Sequence, residues 1–206
     1  MKSPVVAILL AGGLARRMGG GDKCLRQVAG QSLLSHVINR ITPQVEHVVL
    51  NANGDPTRFS DYGLPVLADI VEGYAGPLAG ILTGLNWASD HVPECEWIVS
   101  VPTDAPFLPA DYVSRMMGAI EGGRQAELAC AVSNGRTHPV AGLWPLRLMK
   151  ELRTALIDED IRKIDRWTAR YKVVEVEFSS EPIDPFFNAN RPEDLEEAEA
   201  FLALQC

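Results

Sequence analysis

Val5-Val6-Ala7-Ile8-Leu9-Leu10 is an unbroken apolar run that leads into the glycines Gly12 and Gly13. A strand with water on one face alternates apolar and polar residues, so six apolar residues in a row call for cover on both faces. Parallel sheets supply that cover, because the helices crossing between their strands lie on either side. The rest of the chain reads the same way. Leu34, Val37, Ile38 and Ile41 recur at helical spacing, and Pro43 stops that helix. His47–Leu50 is a second strand running into Asn51-Ala52-Asn53-Gly54, and Pro65–Leu67 is a shorter one ending at Asp69. A helix is expected over Pro77–Ser89, with Pro77 in its first turn and Leu78, Ile81, Leu82 and Leu85 on one face. Trp97–Val101 is a strand whose terminal loop is Pro102-Thr103-Asp104-Ala105-Pro106. Further strands at Glu127–Val132, Val140–Leu143 and Tyr171–Phe178 complete the pattern, with helices at Ala110–Glu121, Arg147–Ile157, Ile161–Arg170 and Glu193–Leu204. Such alternation predicts an α/β fold with a single doubly wound, mostly parallel sheet, Rossmann-like in outline. No repeat, low-complexity tract or linker divides the 206 residues, so one domain over 1–206 is expected.

Charge and cysteine usage narrow the function classes. A net charge of -8 argues against a nucleic-acid partner, because phosphate-backbone binders rely on clustered excess Lys and Arg. The first apolar run is too short for a signal-peptide core or a membrane span, so no membrane partner is expected. Cys24, Cys95, Cys130 and Cys206 show neither a C-x-x-C pair nor metal-type spacing. A reducing, cytoplasmic location is the expectation.

In open α/β sheets, ligands bind outside the carboxyl ends of the strands. Ala11–Lys23, Asn51–Asn53, Asp69 and Asp104 all follow predicted strands and fall on one edge. The first of these loops carries Gly12, Gly13, Gly19, Gly20 and Gly21 together with Arg16, Arg17 and Lys23. Glycines let backbone N–H groups approach anionic oxygens, and the three cations add fixed positive charge. The loop has neither the Gly-Lys-Ser/Thr of a Walker A motif nor G-x-G-x-x-G. Asp104 beside a triphosphate would be repelled unless Mg²⁺ lay between them, which makes it the metal-ligand candidate; the alternative is a cap on the next helix. Asp69 reads either as a site residue or as an ordinary turn Asp. Asn51 and Asn53 offer hydrogen bonds to a base edge or ribose, and Gly80 offers a place for a flat base against the backbone. Asn188 and Asn190 are neutral amides able to complete a Mg²⁺ shell, unless Asn190 caps the last helix. His138 is placed to touch an anionic acceptor. His36, His47 and His91 have no partner pattern, and Trp87, Trp97, Trp144 and Trp167 read as core.

With these residues laid out, the chain resembles the molybdenum cofactor guanylyltransferase family (MobA). The matching elements are Leu10-Ala11-Gly12-Gly13, Arg17-Met18-Gly19-Gly20 with Asp22-Lys23, Val49-Leu50-Asn51-Ala52-Asn53, Gly76-Pro77-Leu78-Ala79-Gly80, Asp104-Ala105-Pro106, His138-Pro139 and Asn188-Ala189-Asn190-Arg191-Pro192-Glu193-Asp194. The resemblance implies transfer of GMP from GTP to molybdenum–molybdopterin, with pyrophosphate released. It implies GTP contacts by Leu10, Ala11, Gly12, Lys23, Asn51, Asp69 and Asp104, with Asp104 also on Mg²⁺. Other cofactor-biosynthesis proteins and apo-molybdoenzymes are the partners it implies. Two departures stand out: Ala105 replaces a small polar residue, and the loop has one glycine more than usual at Gly19–Gly21. The residues themselves suggest an in-line displacement in which Lys23 stabilises charge near the α-phosphate. Arg17, with the N–H groups of Gly13–Gly20, would hold the departing pyrophosphate. Three alternatives stay open: a cytidylyltransferase for the same pterin, a sugar-phosphate nucleotidyltransferase, and a non-catalytic GTP-binding regulator.

Overall fold

The structure is a computed structural model and describes residues 4–12, 21–73, 76–123, 125–189 and 192–203. Its centre is a seven-stranded sheet of β1 (Val5–Leu10), β4 (His47–Asn51), β5 (Val66–Leu67), β6 (Trp97–Pro102), β7 (Leu128–Ser133), β8 (Arg136–Pro145) and β9 (Val173–Phe178), in the order β5-β4-β1-β6-β8-β7-β9. A two-stranded hairpin, β2 (Gln27–Val28) with β3 (Gln31–Ser32), stands apart from it. The helices are α1 (Leu33–Ile41), α2 (Pro77–His91), α3 (Tyr112–Gly122), α4 (Met149–Ile157), α5 (Ile164–Thr168) and α6 (Pro192–Ala203).

The apolar run does what its composition requires. Val5, Ala7 and Leu9 pack with α1 and α3 on one face, while Val6 and Ile8 pack with α2, α4 and α5 on the other. Period-two alternation thus feeds two cores at once, and β1 sits between the parallel neighbours β4 and β6. Helix α2 comes close to β1 through its glycines. A Cβ at Gly84 would lie 2.9 Å from the Cβ of Ile8.

One strand breaks the parallel pattern. β8 runs antiparallel to both β6 and β7. It is joined to β7 by Asn134-Gly135, with φ of 48° and 68°, the positive values a type I′ hairpin demands. This turn is the Asn-Gly signal between two apolar runs, and it starts β8 at Arg136, four residues before Val140. The β7–β8 register then slips: Ala131 pairs with His138 and Cys130 with Gly142, so Pro139, Val140 and Ala141 bulge out. Fully buried Ser100 of β6 ties this bulge down. Its hydroxyl donates to the Val140 carbonyl at 2.5 Å and accepts from Trp144 Nε1 at 2.7 Å and Gly142 N at 3.3 Å.

The helix expected over Ile161–Arg170 is shorter, Ile164–Thr168. Asp160 takes φ of 51° and Ile161 is drawn back to Ala155, its N–H donating to that carbonyl at 2.9 Å. The preceding turn consumes the residues that periodicity alone assigned to a helix.

Candidate active site

A cleft of about 570 Å³ opens along the edge where β1, β4, β5 and β6 end. Because β8 is antiparallel, its first residues reach the same edge. Leu10, Gly12, Lys23, Asn51, Asn53, Asp69, Asp104, His138 and Asn188, all expected at a site, line this one cleft. Ala11 stands behind it: it is buried, and its N–H extends the β1–β4 ladder to the Asn51 carbonyl at 2.9 Å. Gly13, Arg16, Arg17 and Asn190 lie outside the described residues.

The charged centre comes from three distant segments. Lys23 begins a 3-10 turn, Lys23–Leu25, whose following residue Arg26 bonds to the start of α1 through Leu33 N. That turn buries the lysine stem, leaving its side chain 10% exposed. Its ammonium donates to Asp104 Oδ2 at 2.5 Å, across 81 residues of chain. Asp104 follows β6 in a turn and is not a helix cap, since α3 begins only at Tyr112 with Asp111 at its cap position. The segment before α6 closes on the same residue, where the Ala189 N–H donates to the Asp104 backbone carbonyl at 3.4 Å. The Asn188 amide nitrogen donates to both Asp104 carboxylate oxygens, at 2.5 and 2.6 Å. A cation and an amide donor thus meet on one partly buried carboxylate.

At the other end, Asp69 is the hub of an amide network. Asn51 Nδ2 donates to Asp69 Oδ1 at 2.9 Å and to the Leu67 carbonyl at 3.2 Å. Asn53 Nδ2 donates to Asp69 Oδ2 at 2.8 Å, and the Asp69 N–H returns a bond to Asn53 Oδ1 at 2.8 Å. The network locks the ends of β4 and β5 together. Gly80 plays a different part from the one expected. A Cβ there would stand 2.3 Å from Asn51 Oδ1 and 2.6 Å from Leu10 Cδ2. The glycine therefore makes room for Asn51 and Leu10 against α2, and no base can lie on it.

The β8 side of the cleft was the least visible in the sequence. Arg136, Thr137, Val140, Ala141 and Phe186 line it beside His138. His138 stacks on Phe186 with ring centroids 4.6 Å apart. Burial holds its imidazole below the ordinary histidine value, against the pull of Asp184. Arg136 is exposed on the rim. Only the Asn-Gly turn could have announced these residues, and only if read as the start of an antiparallel strand.

Cys24 also lines the cleft, and the other described histidines are held by local contacts. Burial pushes the Cys24 thiol up to about 12 and Cys130 up to about 11, leaving both protonated at neutral pH. His36 meets the Val28 carbonyl at 2.9 Å, while His47 and His91 pack on Trp87. Among the described residues, no three His, Cys, Asp or Glu side chains converge on a metal position, and no helix is long and apolar enough to cross a membrane.

A family model for the MobA-like NTP transferase domain matches residues 7–173. A molybdenum cofactor guanylyltransferase of Rhodopseudomonas palustris (strain BisB5) is 58% identical over 193 residues, covering 94% of this chain and 91% of the relative. The chain belongs to the molybdenum cofactor guanylyltransferase family. Another such guanylyltransferase, from Bradyrhizobium sp. (strain ORS 278), is 58% identical over 201 residues, 98% of this chain and 94% of the relative. Among solved structures, the molybdopterin-guanine dinucleotide biosynthesis protein A of Archaeoglobus fulgidus superposes with a TM-score of 0.75 at 23% identity, covering 97% of this chain and 99% of that one. At that identity it supports the family's fold and no more. The matched span, 7–173, holds every cleft segment except the one bearing Phe186 and Asn188.

Proposed function

We infer that the chain transfers GMP from GTP to the terminal phosphate of molybdenum–molybdopterin, releasing pyrophosphate. One observation carries this reading: Lys23, Asp104 and Asn188, far apart in sequence, meet in one contact network on the strand-end edge of a family member. The cleft around them has two halves. The Leu10, Asn51 and Asp69 end takes the nucleoside. Asp69 keeps lone pairs beyond those used by Asn51 and Asn53, and these are acceptors for the N–H donors of guanine. The Arg136–Ala141 end takes the acceptor, with exposed Arg136 attracting its phosphate.

Mg²⁺ suits the residues present. One carboxylate and one amide, with no all-protein cage among the described residues, match an ion that enters on a triphosphate and keeps several waters. Asp104 would hold it, and Asn188 would join through its oxygen once the amide turned over. When bound, the ion neutralises charge on the non-bridging phosphate oxygens. Lys23, freed from part of its bond to Asp104, stabilises the negative charge that gathers at the α-phosphate during attack. No general base is required, because the acceptor phosphate is already anionic at neutral pH. Arg17 is assigned to the leaving pyrophosphate on sequence grounds.

The test is pyrophosphate release with Mg²⁺, molybdopterin and each of the four nucleoside triphosphates in turn. GTP alone should support release. A preference for CTP would overturn the guanylyl assignment, and no release with any of them would overturn transferase activity.

A further inference from the structure

Behind the acceptor half of the cleft lies a polar chain that ends on His138 and that the transfer chemistry leaves unused. Ser133, at the end of β7, is fully buried. Its hydroxyl donates to Asp184 Oδ1 at 2.7 Å and lies 2.7 Å from His138 Nε2. Asp184 is itself fixed, since the same oxygen accepts the Phe186 N–H at 2.9 Å. A hydroxyl has one proton, and here it goes to the carboxylate. Ser133 can therefore only accept from His138, so the histidine proton must sit on Nε2. Among the described residues, Nδ1 has no protein partner and carries a lone pair. The ring lines the cleft and is braced from one face by Phe186.

We propose that Asp184 and Ser133 are positioning residues that fix His138 as the Nε2–H tautomer, so that its Nδ1 accepts a hydrogen bond from a ring N–H of the acceptor's heterocycle. This rests on the acceptor being a pterin, whose fused ring offers such donors, and it assigns His138 to that ring instead of to an anionic phosphate. A neutral imidazole with its only N–H turned inward has nothing to offer an anion. Phosphate recognition on this side falls to Arg136.

The groups around His138 set its pH behaviour. Burial and Arg136 hold it neutral, while Asp184 and Glu177 favour its protonated form. An added proton would occupy Nδ1 and abolish the acceptor, so acceptor binding should weaken as the solution is acidified while GTP binding holds.

Three measurements test the proposal. Nitrogen-15 NMR of the free protein, with its four histidines assigned through H138Q, should show His138 as the Nε2–H tautomer in the wild type and as a mixture in S133A. H138N keeps a hydrogen-bonding group near the Nδ1 position, whereas H138Q keeps only the one that reaches Ser133. The KM for molybdopterin should therefore rise roughly tenfold in H138Q and S133A, the scale of one lost hydrogen bond, and much less in H138N. The KM for GTP should stay within about twofold in all three, since none of them alters the nucleoside half. An Nδ1–H tautomer in the wild type would overturn the proposal. So would an acceptor KM unchanged in H138Q, or H138N failing as badly as H138Q. The NMR result does not depend on turnover, so a protein that transfers no nucleotide would sink the proposed function while the tautomer was still decided.

Discussion

At the scale of single residues, the site is governed by how much of each charge is kept from water. Lys23 and Asp104 both contact substrate in the proposed chemistry, yet their removal should differ in its structural cost. Lys23→Ala leaves a carboxylate that Asn188 still serves, whereas Asp104→Ala takes the carboxylate from a nearly buried ammonium. Both variants should lose at least about 100-fold in kcat, the usual cost of removing a group that stabilises developing charge. Urea melts should show Asp104→Ala less stable by about 2 kcal/mol, typical of a lost charge-assisted bond, and Lys23→Ala closer to the wild type. Equal turnover in Asp104→Ala and wild type would remove it from the metal and phosphate chemistry. His138 supplies a second residue-scale effect. Its folded value is held below the ordinary 6.5, so on acidification the unfolded chain takes up the proton first. The stability this contributes is complete above 6.5 and is lost as the pH falls through the lowered value. Denaturant midpoints between pH 7.5 and 5 should therefore drop more steeply for wild type than for H138Q.

Elements bring these residues together, and glycine spacing on α2 sets the tolerances. Gly80 and Gly84 lie one turn apart on the face toward β1, but their neighbours differ. At Gly80 a methyl group meets the Asn51 amide and the end of Leu10, both of which belong to the nucleoside end. At Gly84 it meets Ile8 close to the backbone, in the middle of the sheet. Gly84→Ala should cost about 1–2 kcal/mol in a thermal melt, overpacking outweighing the helix propensity gained, with the KM for GTP unchanged. Gly80→Ala should instead raise the KM for GTP several-fold by pushing Asn51 off Asp69, the effect of about one hydrogen bond. If the two variants behaved alike, the Asn51–Asp69 network would have no part in holding GTP. The β7–β8 hairpin is the other decisive element. Its Asn-Gly turn carries Arg136 and His138 to the strand-end edge, and the bulge pinned by Ser100 makes Val140 and Ala141 the cleft wall. The Asn134-Gly135 pair is a hairpin signal, but the strand expected from the sequence began only at Val140, so the turn went unread. The bulge was not legible in the sequence, because it depends on a hydroxyl of β6 and an indole of β8 meeting inside the sheet.

For the whole molecule, the proposed substrates bind a cleft whose walls come from both halves of the chain, so nucleotide should stabilise the fold cooperatively. At 100 times its dissociation constant, GTP with Mg²⁺ should add about 2.7 kcal/mol, which for a chain of this size raises Tm by roughly 5–10 °C. CTP at the same concentration should give a markedly smaller shift, and a chelator should abolish most of the GTP effect. An equal shift with CTP would contradict guanine selection. The sequence by itself determined the sheet, because an apolar run such as Val5–Leu10 can satisfy its side chains only between two helical layers. It also placed Leu10, Gly12, Lys23, Asn51, Asp69 and Asp104 near one edge, since residues that follow parallel strands share that edge. Only the tertiary structure decided which of them touch. It set Lys23 on Asp104, turned Asn188 toward the same carboxylate, gave Gly80 to Asn51, and joined His138 to Ser133 and Asp184. Apart from the His138–Ser133 pair, which is five residues apart, those contacts span tens of residues, and all of them are fixed by packing, which local periodicity does not encode.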